Sequence, residues 1–236
     1  MNTKEKLNNL WNKDFINQLP NFVKERGFVF SENNYQKDIL ITGINPSFRK
    51  DAELGNFSFD FQLTLKEEKY DNYWSPLKKM IFDPENLIDL REKSAYLDIF
   101  YFREKEQNKL KKEILKNNKG IQFLVEQLKI TQQTIENDIK PKLIIVKNKE
   151  SAAYWGKLSE NGIIWMGYKL DFVKSYVCGD LYKISGFIES NERILSEIIE
   201  TNLKGSLILF TEHISQYTKK EKRPTAVLIN ELLGNL

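Results

Sequence analysis

Cysteine and histidine are almost absent from this 236-residue chain, which holds one of each, Cys178 and His213. A single cysteine excludes an internal disulfide, a cysteine-ligated zinc and an iron–sulfur cluster, and a lone cysteine reads first as a small buried hydrophobe. Long apolar runs are missing too. The longest, Ile39–Ile41, Leu143–Val146 and Leu207–Phe210, are strand-sized and far too short to span a bilayer. Charge of one sign is also lacking: 36 Lys and Arg against 33 Asp and Glu leave a net +3, so bulk charge does not announce a nucleic-acid binder and local clusters must carry any such claim. The start, Met1 to Lys6, leads into an amphipathic segment and not into the apolar core of a signal peptide, which places the protein in the cytoplasm.

What is present is the balance of a globular protein, 41% hydrophobic and 29% charged residues, at a length that suits a single domain over 1–236 with residues 1–36 as an N-terminal helical cap. Leu7, Leu10, Trp11, Phe15 and Leu19 fall near helical spacing and predict one amphipathic helix over 4–19. Strands are expected near 38–43, 95–102, 143–146 and 206–211, with irregular strands over 162–185. Helices are expected from Trp74, over 105–139 with a break near Gly120, over 194–199, and after Pro224. A long loop, Phe48–Asn72, joins the first strand to the first of these helices, and long loops in compact domains are functional or mobile. Strands alternating with helices predict a three-layer α/β/α domain around a mostly parallel four-stranded sheet.

Two turns stand out. Gly43-Ile44-Asn45-Pro46-Ser47 closes the first strand; Gly43 permits close approach, and Pro46 fixes the backbone so that Asn45 is held. His213 lies two residues past Leu207–Phe210. If both strands are parallel, Asn45 and His213 emerge at the same edge of the sheet, where open α/β folds bind ligands.

With these two turns, an ordered set of motifs resembles the uracil-DNA glycosylase superfamily, most closely its mismatch-specific uracil/thymine branch. The matching pieces are Gly43–Pro46, then Gly55 followed by Phe57 and Phe59, then Tyr73-Trp74 opening a helix, then Pro141 before Leu143–Val146, and finally His213-Ile214-Ser215. They keep their order over residues 37–225. The resemblance implies a monofunctional enzyme that needs no metal or cofactor, acts as a monomer on DNA away from any membrane, flips a uracil or a related damaged or modified base out of the helix, and hydrolyses its N-glycosidic bond to leave an abasic site. Asn45 would hold the attacking water, and His213 would donate a hydrogen bond to the departing base. The base would lie against Phe59, with Gly43, Ile44, Phe57, Asp98 and Ser215 around it. Tyr217 and Gln216 would wedge into the vacated space, and Ser47, Lys219, Lys220 and Arg223 would grip the strand.

Three positions depart from the family pattern. Ile214 stands where the family has proline, Lys147-Asn148 follow a strand where glycine is usual, and Asp98 sits where a carboxylate disfavours the carbonyls of uracil and accepts from an amino group. A non-catalytic binding protein that kept the fold is therefore the alternative. A hydrolase of free nucleosides is a third reading, against which the wedge and the basic turn both speak.

Overall fold

The computed structural model describes residues 1–49 and 51–234. Helix α1, Thr3–Trp11, opens with a reciprocal cap in which Asn2 accepts from the Glu5 amide and Glu5 accepts from the Asn2 amide. It ends at Asn12, and a short 3₁₀ turn over Asp14–Gln18 and helix α2, Asn21–Arg26, follow. The single helix expected over 4–19 is thus two pieces. Across the bend, Phe15, Ile16 and Leu19 join the same apolar cluster as Leu7 and Leu10. Nor is the 1–36 cap wholly helical, because strand β1, Val29–Glu32, lies within it.

Strand β2, Ile39–Gly43, comes next, and the stretch expected to be a loop contains strand β3, Phe57–Asp60, and helix α3, Phe61–Lys66. Strands β1 and β3 pair in parallel as a separate two-stranded sheet, with Ser31 opposite Phe59. Asp60 caps α3 by accepting from the Gln62 and Leu63 amides. Helix α4, Trp74–Ile81, carries Pro76 in its first turn as expected, and strand β4 is Ser94–Asp98.

Over 105–139 the break falls at 115–117, ahead of Gly120. Helix α5, Asn118–Gln133, starts from an Asn117 cap and is flanked by π-helical turns at Leu110–Ile114 and Thr134–Ile139. Gly120 is there for packing: a Cβ at this position would lie 2.0 Å from the Ile114 carbonyl oxygen. Strand β5, Leu143–Val146, is followed by a long antiparallel hairpin of β6, Tyr168–Tyr176, and β7, Gly179–Phe187. The helix expected over 194–199 does not form. The Ile194 and Leu195 amides instead donate to the Ile164 and Trp165 carbonyls, and Ile199 is exposed. Strand β8, Leu207–Thr211, and helix α6, Ala226–Gly234, complete the chain.

The central sheet has six strands in the order β4-β2-β5-β8-β7-β6. The first four are parallel; β7 and β6 are antiparallel, so the sheet is mixed and larger than the four strands expected. Its middle strands are buried on both faces. Ile39, Ile41, Leu143, Ile145, Leu207 and Leu209 meet α3, α4 and α6, while Leu40, Ile144, Val146, Ile208 and Phe210 meet α1 and α5. Helices therefore cover both faces of a mostly parallel sheet, and each large side chain buried there contributes roughly 1.5–3 kcal/mol. No helix among the described residues is long and apolar enough to cross a membrane. The register is level: Gly43 lies opposite Asp98, Thr42 opposite Val146, and Val146 opposite Phe210, so four parallel strands end side by side.

Candidate active site

Those four strand ends bring charged groups into a buried layer. Asp98 closes β4, and Lys147, the first residue after β5, extends the ladder by donating its amide to the Thr42 carbonyl at 3.0 Å. Both side chains are buried, at 8% and 3% exposure, and neither could be so at ease beside a larger residue than Gly43. A Cβ on Gly43 would sit 2.2 Å from Asp98 Oδ1 and 3.2 Å from Lys147 Nζ. What comes close to Gly43 is therefore this pair of side chains.

Two phenols connect the pair. Lys147 Nζ donates to Tyr73 Oη at 2.6 Å, Tyr73 and Tyr96 share a short hydroxyl contact, and Tyr96 Oη donates to Asp98 Oδ1 at 2.8 Å. Tyr96 gives its only proton to Asp98, so Tyr73 is the donor in its contact with Tyr96, and with Lys147 able only to donate the whole chain is polarised from ammonium to carboxylate. Burial pushes the Asp98 carboxyl above its ordinary range, offset by Lys147 and the Tyr96 hydroxyl. Burial lowers Lys147 to about 8, against the pull of Asp98. Burial and the Asp98 charge hold both phenols well above their usual values, so they remain donors.

Beside this network lies a cavity of about 260 Å³. Phe59, Tyr73, Trp74 and Tyr96 form its aromatic walls, and buried Asp98 and Arg103, half-buried Pro46, and exposed Ser47 and Arg49 also line it. The walls brace one another: Phe59 is 5.4 Å from Trp74 and Trp74 is 5.0 Å from Tyr96, ring centre to ring centre. Arg103 is a brace and not a free cation. Its guanidinium donates to the Arg26, Glu53 and Gly55 carbonyls and lies against Phe48 and Phe57.

The residues singled out from the sequence divide accordingly. Gly43, Ser47, Phe59 and Asp98 are in or beside the cavity. Phe57 packs on Arg103 two residues before Phe59, and the Ile44 side chain is buried in the core. Asn45 stands at the same sheet edge, but its amide is engaged: Nδ2 donates to the Glu104 carbonyl at 2.6 Å and to the Pro46 carbonyl at 3.1 Å, and Oδ1 accepts from Gln107 Nε2 at 3.1 Å. His213 is also at this edge, exposed, and partial desolvation together with the Lys147 charge lowers its pKa and keeps the ring neutral.

Ile214 is 1% exposed and packs among Leu209, Ile229 and Leu232, so the loop is anchored by burial where a proline would have stiffened it. Thr218 ties the turn, accepting from the Ser215 amide and donating to the His213 carbonyl at 2.6 Å. Ile214→Ala is expected to lower the unfolding free energy by about 2–4 kcal/mol in urea titrations. Tyr217 projects at 87% exposure, and Lys219 and Lys220 are exposed beside it. Gln216 accepts from Tyr70, while Arg223 is turned inward, donating to the Gln216 and Thr218 carbonyls. Arg223 thus shapes the turn and does not offer itself to a phosphate.

Sequence reasoning did not assign Lys147, Tyr73 or Tyr96 to the site. The signal was a charged residue directly after a wholly apolar strand, where burial is unavoidable. Among the described residues no group of three or more His, Cys, Asp or Glu side chains is placed to hold a metal ion. Comparison with protein-family models gives no match for this chain, and comparison with curated proteins gives none.

Proposed function

We propose that the protein is a monofunctional DNA glycosylase that takes a damaged or modified base, flipped out of DNA, into the aromatic cavity and hydrolyses its N-glycosidic bond. The observation that carries this reading is the cavity itself: flat aromatic walls and a buried charged network, at the edge where four parallel strands end. Ring stacking suits any base, and a water-poor site strengthens every interaction with charge that develops there.

In the reaction, water oxygen bonds to C1′ as the C1′–N bond breaks through an oxocarbenium-like sugar, the bonding pair leaves with the base, and the proton the water gives up passes through solvent to the departing base anion. The Lys147 ammonium and the neutral His213 ring supply positive potential and a hydrogen-bond donor on the side of the departing base. Asn45 can orient the water but cannot remove its proton, which makes for a slow enzyme. A base in the cavity leaves a gap in the duplex, and exposed Tyr217 has the size to fill it, with Lys219 and Lys220 next to the backbone. Extrusion costs a few kcal/mol, which these contacts offset.

A non-catalytic binder is favoured by one observation, the engagement of both ends of the Asn45 amide by Glu104, Pro46 and Gln107. Incubation with single- and double-stranded oligonucleotides carrying uracil, mismatched thymine, hypoxanthine and modified cytosines separates the two. Alkali-labile abasic sites are expected, and their absence from every substrate favours the binder. Tyr217→Ala with Lys220→Ala is expected to weaken DNA binding about tenfold, with a shallower salt dependence in fluorescence anisotropy. Equal affinity of mutant and parent at every salt concentration removes this loop from the interface.

A further inference from the structure

The inner wall of the cavity offers acceptors and almost no donors. The Tyr96 proton is committed to Asp98 Oδ1, which leaves Tyr73 as the donor to Tyr96, while the Tyr73 oxygen accepts from Lys147. Asp98 lines the cavity, and its second oxygen, Oδ2, has no hydrogen-bond partner among the described residues. Gly43, which could have offered a backbone group, has its carbonyl engaged by the Ile99 amide. A ring edge entering the cavity beside Phe59 and Tyr96 therefore meets a carboxylate oxygen.

We propose that this site reads a base bearing an exocyclic amino group, of the cytosine or adenine kind, through an N–H···Oδ2 bond to Asp98, and rejects the oxo counterparts uracil, thymine and hypoxanthine. This rests on the cavity being the base pocket. An amino group donates into the carboxylate. A carbonyl in its place sets lone pairs against lone pairs beside a buried carboxylate, and neither partner is satisfied. Sites that hydrogen-bond one such group reject the analogue lacking it by large factors, so a preference of about 100-fold or more is expected.

The test uses matched single-stranded oligonucleotides with a 2′-fluoro sugar, which resists glycosidic cleavage, carrying cytosine or uracil, 5-methylcytosine or thymine, and adenine or hypoxanthine. Competition anisotropy on the wild-type protein is expected to favour the amino member of at least one pair by about 100-fold or more. Asp98→Asn, whose amide can donate to a carbonyl, is expected to cancel or reverse that preference. If Asp98→Asn alone does not fold, Asp98→Asn with Lys147→Met serves in its place. Preference for the oxo members, or equal binding within all three pairs, overturns the assignment even if the protein cuts DNA. An amino preference on the fluorinated strands, with no base released from ordinary ones, leaves the assignment standing and removes the glycosylase reading alone.

Discussion

Replacing Asp98 with Asn and Lys147 with Met together is expected to raise the unfolding free energy at pH 7 by about 1–4 kcal/mol while abolishing base release. The gain follows from two groups that are both charged against the preference of their surroundings. Burial raises the Asp98 pKa, so ionising this group costs the native state stability that is lost as pH rises through that raised value. Burial lowers Lys147 from 10.5 to about 8, so the unfolded chain binds the extra proton between those values and native stability increases with pH across that window. At pH 7 the lysine alone costs about 3 kcal/mol on this scale. Removing Asp98 singly is the opposite case, because Lys147 then stays buried without its counter-charge, and a loss of roughly 3 kcal/mol is expected. Urea titrations at pH 7 and pH 10 check the set. The advantage of the double variant should shrink at the higher pH, where wild-type Lys147 is neutral. A double variant less stable than the parent at both pH values contradicts this account of the pair.

The second large effect concerns the two turns. His213→Ala is expected to lower the rate of base release by about 10²–10³-fold, the usual consequence of losing one preorganised donor, with stability within about 0.5 kcal/mol because the side chain is exposed. Asn45→Ala is expected to lower the rate as much, and also to cost about 1 kcal/mol of stability, since its amide holds the Glu104 carbonyl. Single-turnover kinetics and urea titration read the two effects separately. Wild-type rates in both variants would remove both residues from the chemistry.

Much of the frame was legible in the sequence because its strands are continuous apolar runs. Leu143–Val146 and Leu207–Phe210 have the length and continuity of strands buried on two faces, and Trp74-Ser75-Pro76 marks a helix start without help from the rest of the chain. The misses share a cause, dependence on distant partners. Strand β3 is four residues beside Gly55 and Asn56, and it becomes a strand only by pairing with β1. The hairpin of β6 and β7 shows no clean alternation, because its register shifts twice, between Lys169 and Leu170 and between Phe172 and Lys174. Ile194, Leu195, Ile198 and Ile199 have helical spacing, yet the backbone there is claimed by the Ile164 and Trp165 carbonyls.

The same holds at the site. That Asn45 and His213 share one sheet edge followed from the parallel strands. That the Asn45 amide faces Glu104 and Gln107, 59 and 62 residues away, did not. The polar chain from Lys147 to Asp98 draws on three separate segments of sequence, and none of them announces the other two.

The central claim is that an extruded base lies against the wall formed by Phe59, Trp74 and Tyr96, with its edge toward Asp98. Photocrosslinking places it most directly: a single-stranded oligonucleotide carrying 5-iodocytosine is irradiated on the protein, and the attached peptide is sequenced by mass spectrometry. The crosslink is expected on Phe59, Trp74 or Tyr96, and to disappear when excess unlabelled cytosine oligonucleotide competes. A crosslink confined to the β6–β7 hairpin, or to the α1 surface, would contradict the account.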